Sequence, residues 1–68
     1  MKPHEERVVA EAAELAEKIQ KLAGFFETET FLKSHPVMQH LMKRQFCVMS
    51  DYWDLLQMRI SMFEWGKP

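Results

Sequence analysis

Cysteine is nearly missing from this sequence: Cys47 stands alone, and glycine occurs twice. A single cysteine closes no disulfide within the chain. It lies in the apolar run "QFCVM", where a small buried hydrophobe is a commoner role than a nucleophile. No ordered base partner for it is apparent, so thiol catalysis is not expected. The histidines His4, His35 and His40 lack cysteine partners and HExxH spacing, and Pro36 separates the last two. No metal and no cofactor is therefore expected. A Gly-rich phosphate loop, a paired-carboxylate constellation and a Ser/His/Asp set are also absent, so no catalytic residue is expected.

Charge of one sign is missing too. A formal net charge of −1 argues against general DNA or RNA binding, which needs a strongly basic face. An anionic ligand would have to be held by a few basic groups gathered locally. No run approaches the roughly 18–20 apolar residues of a spanning helix, so no membrane partner is expected. The N-terminal stretch "MKPHEERVVAEAAEL" is charged and has no apolar h-region. Together with the lone cysteine this points to the cytoplasm. At 68 residues one domain is the natural count. A chain below roughly 70–80 residues usually needs disulfides, a metal or partner subunits. Setting aside the first two leaves oligomerisation.

What is present is helical periodicity. Pro3 suits a first helical turn, and the acids Glu5 and Glu6 suit the positive end of the helix dipole. Val8, Ala12, Leu15, Ile19, Leu22 and Phe26 then alternate at spacings of four and three, a seam of the coiled-coil type. Glu14 to Lys18 and Glu17 to Lys21 add i, i+4 pairs in the favourable order. A helix is predicted over about 3–26, with Gly24 either a C-cap or a point where a ligand approaches the backbone. The segment "ETETFLKSHP" interrupts the pattern with Thr28, Thr30, Ser34 and Pro36. Phe31 and Leu32 are too apolar for a free loop, so the elbow 27–35 should hold a short turn of helix. A second helix is predicted over about 36–63, with Pro36 following Ser34 or His35 as cap, and "EWGKP" as its stop. A connection this short makes the two helices antiparallel neighbours. The fold class is all-α, a two-helix hairpin over residues 1–68.

The second helix carries more apolar surface than one partner can cover. Of the 27 residues from 37 to 63, 16 are apolar or aromatic, whereas a helix packed on one neighbour needs about three positions in seven. Three seams recur: Met42, Met49, Leu56 and Phe63; Leu41, Val48, Leu55 and Met62; and Phe46, Trp53 and Ile60. The first helix covers one face, so the others should meet further copies of the chain in a homo-oligomeric bundle.

Gln45, Tyr52 and Arg59 follow one another at intervals of seven and interleave with Met42, Met49 and Leu56. On that spacing they share an apolar seam, where an unpaired polar group costs about 1–3 kcal/mol. Two readings satisfy them. One is an interior network that fixes register, with Arg59 paired to Asp51 or Asp54 of a neighbouring copy. The other is an anionic ligand drawn to symmetry-related arginines, with aromatic faces stacking on its bases. Lys18, Lys21, Phe25 and Phe26 in "KIQKLAGFF", and Lys43 and Arg44 in "MKRQF", admit the same choice between a solvated edge and a binding surface.

The ordered set "ERVVAEAAELAEKIQKLAGFF", "TFL" and "LMKRQFCVMSDYWDLLQMRISMF" resembles the phage anti-CBASS cyclic-nucleotide sponges. The matching positions are Arg7 and Val8, Glu14 through Leu22, Phe25, Gln45, Met49, Tyr52, Leu56, Arg59 and Ile60. The resemblance implies a non-enzymatic homohexamer that sequesters cyclic dinucleotides and cyclic trinucleotides made by bacterial immune nucleotidyltransferases. It implies action in the host bacterial cytoplasm during phage infection. By the same matching, His4, Arg7, Lys18, Lys21, Phe25 and Phe26 are candidates for a cyclic dinucleotide pocket. Arg59, Tyr52 and Gln45 are candidates for a cyclic trinucleotide site on a three-fold axis. The alternative is a small helical dimer that acts as an interaction module or inhibitor of a host factor, with Trp53 and Trp65 as exposed anchors and no nucleotide ligand.

Overall fold

Leucine, alanine, glutamate and lysine dominate the first third of the chain, and all four favour helix. The computed structural model of the protein describes residues 2–65, with side chains to Phe63. Helix α1 runs Pro3–Phe25, a short α2 spans Glu29–Leu32, and α3 runs Pro36–Trp65. Among the described residues there is no strand. The expected stop at Gly66 and Pro68 lies outside the described residues, as does the side chain of Trp65.

Each helix start has a local cause. At α1 the Lys2 backbone N–H donates to Glu5 Oε1 at 2.9 Å, and Glu5 is buried. At α2 the Thr28 hydroxyl accepts from the Phe31 N–H at 3.2 Å and donates to the Phe25 carbonyl at 2.7 Å. One threonine therefore closes α1 and opens α2. At α3 the cap is His35: its Nδ1 accepts from the Val37 N–H at 3.1 Å, and its carbonyl accepts from the Gln39 N–H at 3.0 Å. Ser34 is committed elsewhere, donating to the Thr30 carbonyl at 2.8 Å.

The elbow is tied down from α3. Gln39 Nε2 donates toward the carbonyls of Phe31, Leu32 and Ser34 at 2.9, 3.1 and 3.1 Å. A four-residue helix leaves its carbonyls unpaired within itself, and this amide is a donor to the last two, Phe31 and Leu32. Phe31 is buried beneath the turn, with Phe25 at 6.0 Å and Phe26 at 4.9 Å between ring centroids. Phe26 in turn meets Phe46 of α3 at 5.7 Å. Rings at these separations contribute beyond their buried area.

From this elbow α3 returns along α1. Val8 and Ala12 of α1 pack against Leu56 of α3, with Leu15, Trp53, Ile60 and Phe63 half-buried around them. Leu56 is fully buried, a burial worth about 2–3 kcal/mol. Two of the three seams of α3 turn toward α1: Met42, Met49, Leu56 and Phe63, together with Phe46, Trp53 and Ile60. Trp53 is thus half-buried against the hairpin core rather than an exposed anchor. The remaining seam, Leu41, Val48, Leu55 and Met62, is half or more exposed at every position.

Of the two roles the sequence allowed Gly24, the C-cap is not the one it takes. It lies inside α1, no glycine among the described residues has a positive φ, and a Cβ there would meet nothing within 4 Å. The helix closes at Phe26 through ordinary right-handed backbone.

The result is a rod of 54 × 15 × 14 Å with a radius of gyration of 15.7 Å. A compact chain of this length would have a radius of about 11 Å. Its surface of 5630 Å² exceeds the roughly 4,500 Å² typical of the mass.

Candidate functional site

The candidate residues of α1 fall on one stripe. His4, Arg7, Glu11, Glu14, Lys18, Lys21 and Phe25 alternate at spacings of three and four, which keeps them on one side of a helix. All are exposed except Phe25, which is half-buried. This stripe borders α3, because the Tyr52 hydroxyl donates to Glu11 Oε1 at 2.5 Å.

That contact corrects the placement of three α3 residues. Gln45, Tyr52 and Arg59 do not share the buried seam of Met42, Met49 and Leu56; all three are exposed. The reason is which residues of α3 pack on α1. α1 draws in the seam that includes Phe46, Trp53 and Ile60, which rotates the positions at 45, 52 and 59 to the opposite rim. There they alternate with Leu41, Val48, Leu55 and Met62, forming a second stripe that begins at Met38.

Apart from Phe26, which lies on the inward seam of α1 and packs on Phe31 and Phe46, the two sets of candidate residues, assigned from the sequence to separate pockets, therefore lie along one flank of the hairpin. Its charge is segregated. Arg7, His4 and Arg59 lie toward the open end, and Lys18 and Lys21 toward the elbow, with Glu11 and Glu14 between. Arg7 and Lys18 are separated by eleven helical steps, about 16 Å along the axis. An anion can engage either cationic group, but the intervening carboxylates disfavour one that bridges both.

At the centre of the flank the electrostatics are specific. Accepting the hydrogen bond, the Glu11 carboxylate holds the Tyr52 phenol above its ordinary pKa. Desolvation and the negative charge of Glu11 act in the same direction, while the Arg59 cation opposes them. Tyr52 thus sits in the fields of both an acid and a base.

Phe25 and Phe26 have another occupation: they pack on Phe31 and, for Phe26, on Phe46. Lys43 places its ammonium 5.9 Å from the centre of the Phe31 ring, a cation over an aromatic face at the elbow. The opposite flank carries a shallow groove of about 230 Å³ lined by Ala16, Ile19, Gln20, Ser50, Trp53 and Asp54. None of the candidate residues lines it. Among the described residues no group of His, Cys, Asp and Glu could hold a metal ion, and no helix is long and apolar enough to cross a membrane.

Sequence reasoning missed Glu11. Its signal was available, since Glu11 continues the three–four stripe from His4 and Arg7 to Lys18 and Lys21.

A short helical hairpin with charged and apolar stripes side by side has the architecture of a binding or assembly module. The chain belongs to the Sequestin family, whose model matches residues 2–62. Sequestins are the phage anti-CBASS cyclic nucleotide sponges. No curated protein and no solved structure matches the chain.

Proposed function

We propose that this protein sequesters cyclic dinucleotide or trinucleotide immune messengers, binding them reversibly and releasing them intact, so that CBASS effectors are not activated. The observation that carries this reading is the family match across residues 2–62. Two features of the chain support it. Arg59 and Arg7 at the open end and Lys18 and Lys21 nearer the elbow offer cationic groups for phosphodiesters on an otherwise near-neutral chain, with His4 beside Arg7. Tyr52, 41% exposed, offers an aromatic face beside them. Mass action suffices for such a role: dissociation constants below the effector's threshold and enough copies. No bond in the ligand is made or broken, so the protein acts in the host cytoplasm as a binder and not as an enzyme.

The functional unit in this reading is a homo-oligomer, a hexamer by analogy with the family resemblance. A rod whose exposed surface exceeds that of a compact chain, with Leu41, Val48, Leu55 and Met62 aligned at heptad spacing, has a seam suited to a second copy. Cyclic trinucleotide contacts from Arg59, Tyr52 and Gln45 would then be repeated by symmetry, and His4, Arg7, Lys18, Lys21, Phe25 and Phe26 would contribute to dinucleotide pockets between copies.

Native mass spectrometry with a panel of cyclic dinucleotides and trinucleotides, followed by heat release and chromatography, tests this directly. The expected result is a hexamer that takes up ligand and returns it unchanged. A ligand-free dimer would support the other reading, an interaction module using the same apolar seam to block a host factor.

A further inference from the structure

The phenol of Tyr52 has one hydrogen, and the structure commits it to Glu11 Oε1. An ionised carboxylate has no hydrogen to return, so the direction of this bond is fixed by the chemistry of the pair. The oxygen of Tyr52 then faces solvent with lone pairs only. It can accept a hydrogen bond but cannot give one. Phosphate oxygens and base carbonyls, themselves acceptors, meet it without a proton between them. Arg59, one heptad along α3 and rich in donors, is the cationic group on the same helix suited to phosphate.

We infer that Glu11 is a positioning residue that turns Tyr52 into an acceptor-only contact, so that the site selects ligands presenting an N–H or O–H donor to Tyr52. The inference rests on the proposed cyclic trinucleotide reading and adds a division of labour to it. Arg59 takes the phosphodiester, and Tyr52 reads a donor on the nucleoside. In a cyclic trinucleotide of adenines two kinds of group supply such a donor, the exocyclic amine of the base and the free ribose hydroxyl. A bond to an anionic acceptor is the stronger kind, so Glu11 retains the phenol hydrogen when a neutral acceptor competes for it. Both residues are exposed, so a ligand can reach the pair.

The test measures dissociation constants by calorimetry for three probes: cyclic triadenylate; its inosine analogue, which replaces each exocyclic amine by a carbonyl and places a hydrogen on N1; and its O-methyl ribose analogue, which keeps the oxygen of each free hydroxyl and removes its hydrogen. The wild-type protein should bind one of the two analogues roughly tenfold or more weakly than the parent, and which one identifies the donor. In Glu11→Ala the freed hydroxyl can donate as well as accept, so that ratio should fall toward one. Tyr52→Phe should also bring it toward one by removing the oxygen. Circular dichroism of both variants checks that the hairpin remains helical, and a loss of fold changes all three affinities together without selectively changing the ratio. Equal affinity of all three probes for the wild-type protein overturns the inference, as does a ratio that persists in both variants. A folded wild-type protein that binds none of the probes removes the cyclic trinucleotide reading itself and this inference with it.

Discussion

The Tyr52 hydroxyl and the Glu11 carboxylate, 41 positions apart in the chain, are joined by a hydrogen bond that ties α3 to α1 on the flank carrying the candidate residues. Tyr52 is the single tyrosine of the protein, so its phenolate absorbance reports this pair alone.

The Tyr52 pKa is raised above 10.0, chiefly because its proton is shared with Glu11. An unfolded phenol would lose its proton first as pH rises, so the folded state binds more protons in that window. The stabilising contribution is therefore complete below about pH 10 and is lost as pH climbs through the higher folded value. In a spectrophotometric titration, Glu11→Ala should move the phenolate transition to lower pH. An unchanged midpoint would contradict the coupling.

Leu56 is the side chain sealed most completely between α1 and α3. Leu56→Ala should cost about 2–5 kcal/mol, from lost transfer energy and the cavity left behind. In a protein this small, that is a large share of the total, so urea denaturation followed by circular dichroism should show a much lower midpoint.

His35 begins α3 by accepting from the Val37 N–H. His35→Ala should destabilise the hairpin by about 1 kcal/mol. His35→Asp, which keeps an acceptor and adds negative charge at the helix N-terminus, should equal or exceed the wild type in thermal midpoint.

Gly24 occupies open space inside α1. Gly24→Ala should stabilise the isolated hairpin by about 1 kcal/mol, because alanine loses less backbone entropy there and meets no neighbour. If the same variant binds cyclic dinucleotides more weakly while melting at a higher temperature, the missing Cβ serves close approach of a ligand or of another copy.

Val48 is 63% exposed in the middle of the outer seam of α3. Val48→Glu should leave the helicity of the chain unchanged and lower its oligomeric mass in sedimentation, since it places a charge where copies are proposed to meet. Retention of the assembled mass would show that copies meet elsewhere.

The hairpin itself is legible in the residues. Alternating four–three spacing from Val8 to Phe26 predicts α1, and the apolar pair Phe31 and Leu32 among turn-forming residues predicts a helical elbow. Both signals are local, since they depend on which residues are three or four apart. The choice between Ser34 and His35 as cap was not legible, because either can accept a backbone hydrogen bond. The packing decided it: Ser34 turns back to the Thr30 carbonyl and leaves His35 at the start of α3.

The sequence by itself determined that this protein is helical and that α3 carries three apolar seams, because periodicity depends only on order along the chain. Tertiary structure decided which seams face inward. A helix with apolar residues on several sides can be rotated about its own axis with little change in local energy, and the packing of Leu56 against Val8 and Ala12 selects the rotation. That rotation brings Gln45, Tyr52 and Arg59 out to the rim and Tyr52 onto Glu11, a relationship between two helices that no spacing within either one could specify.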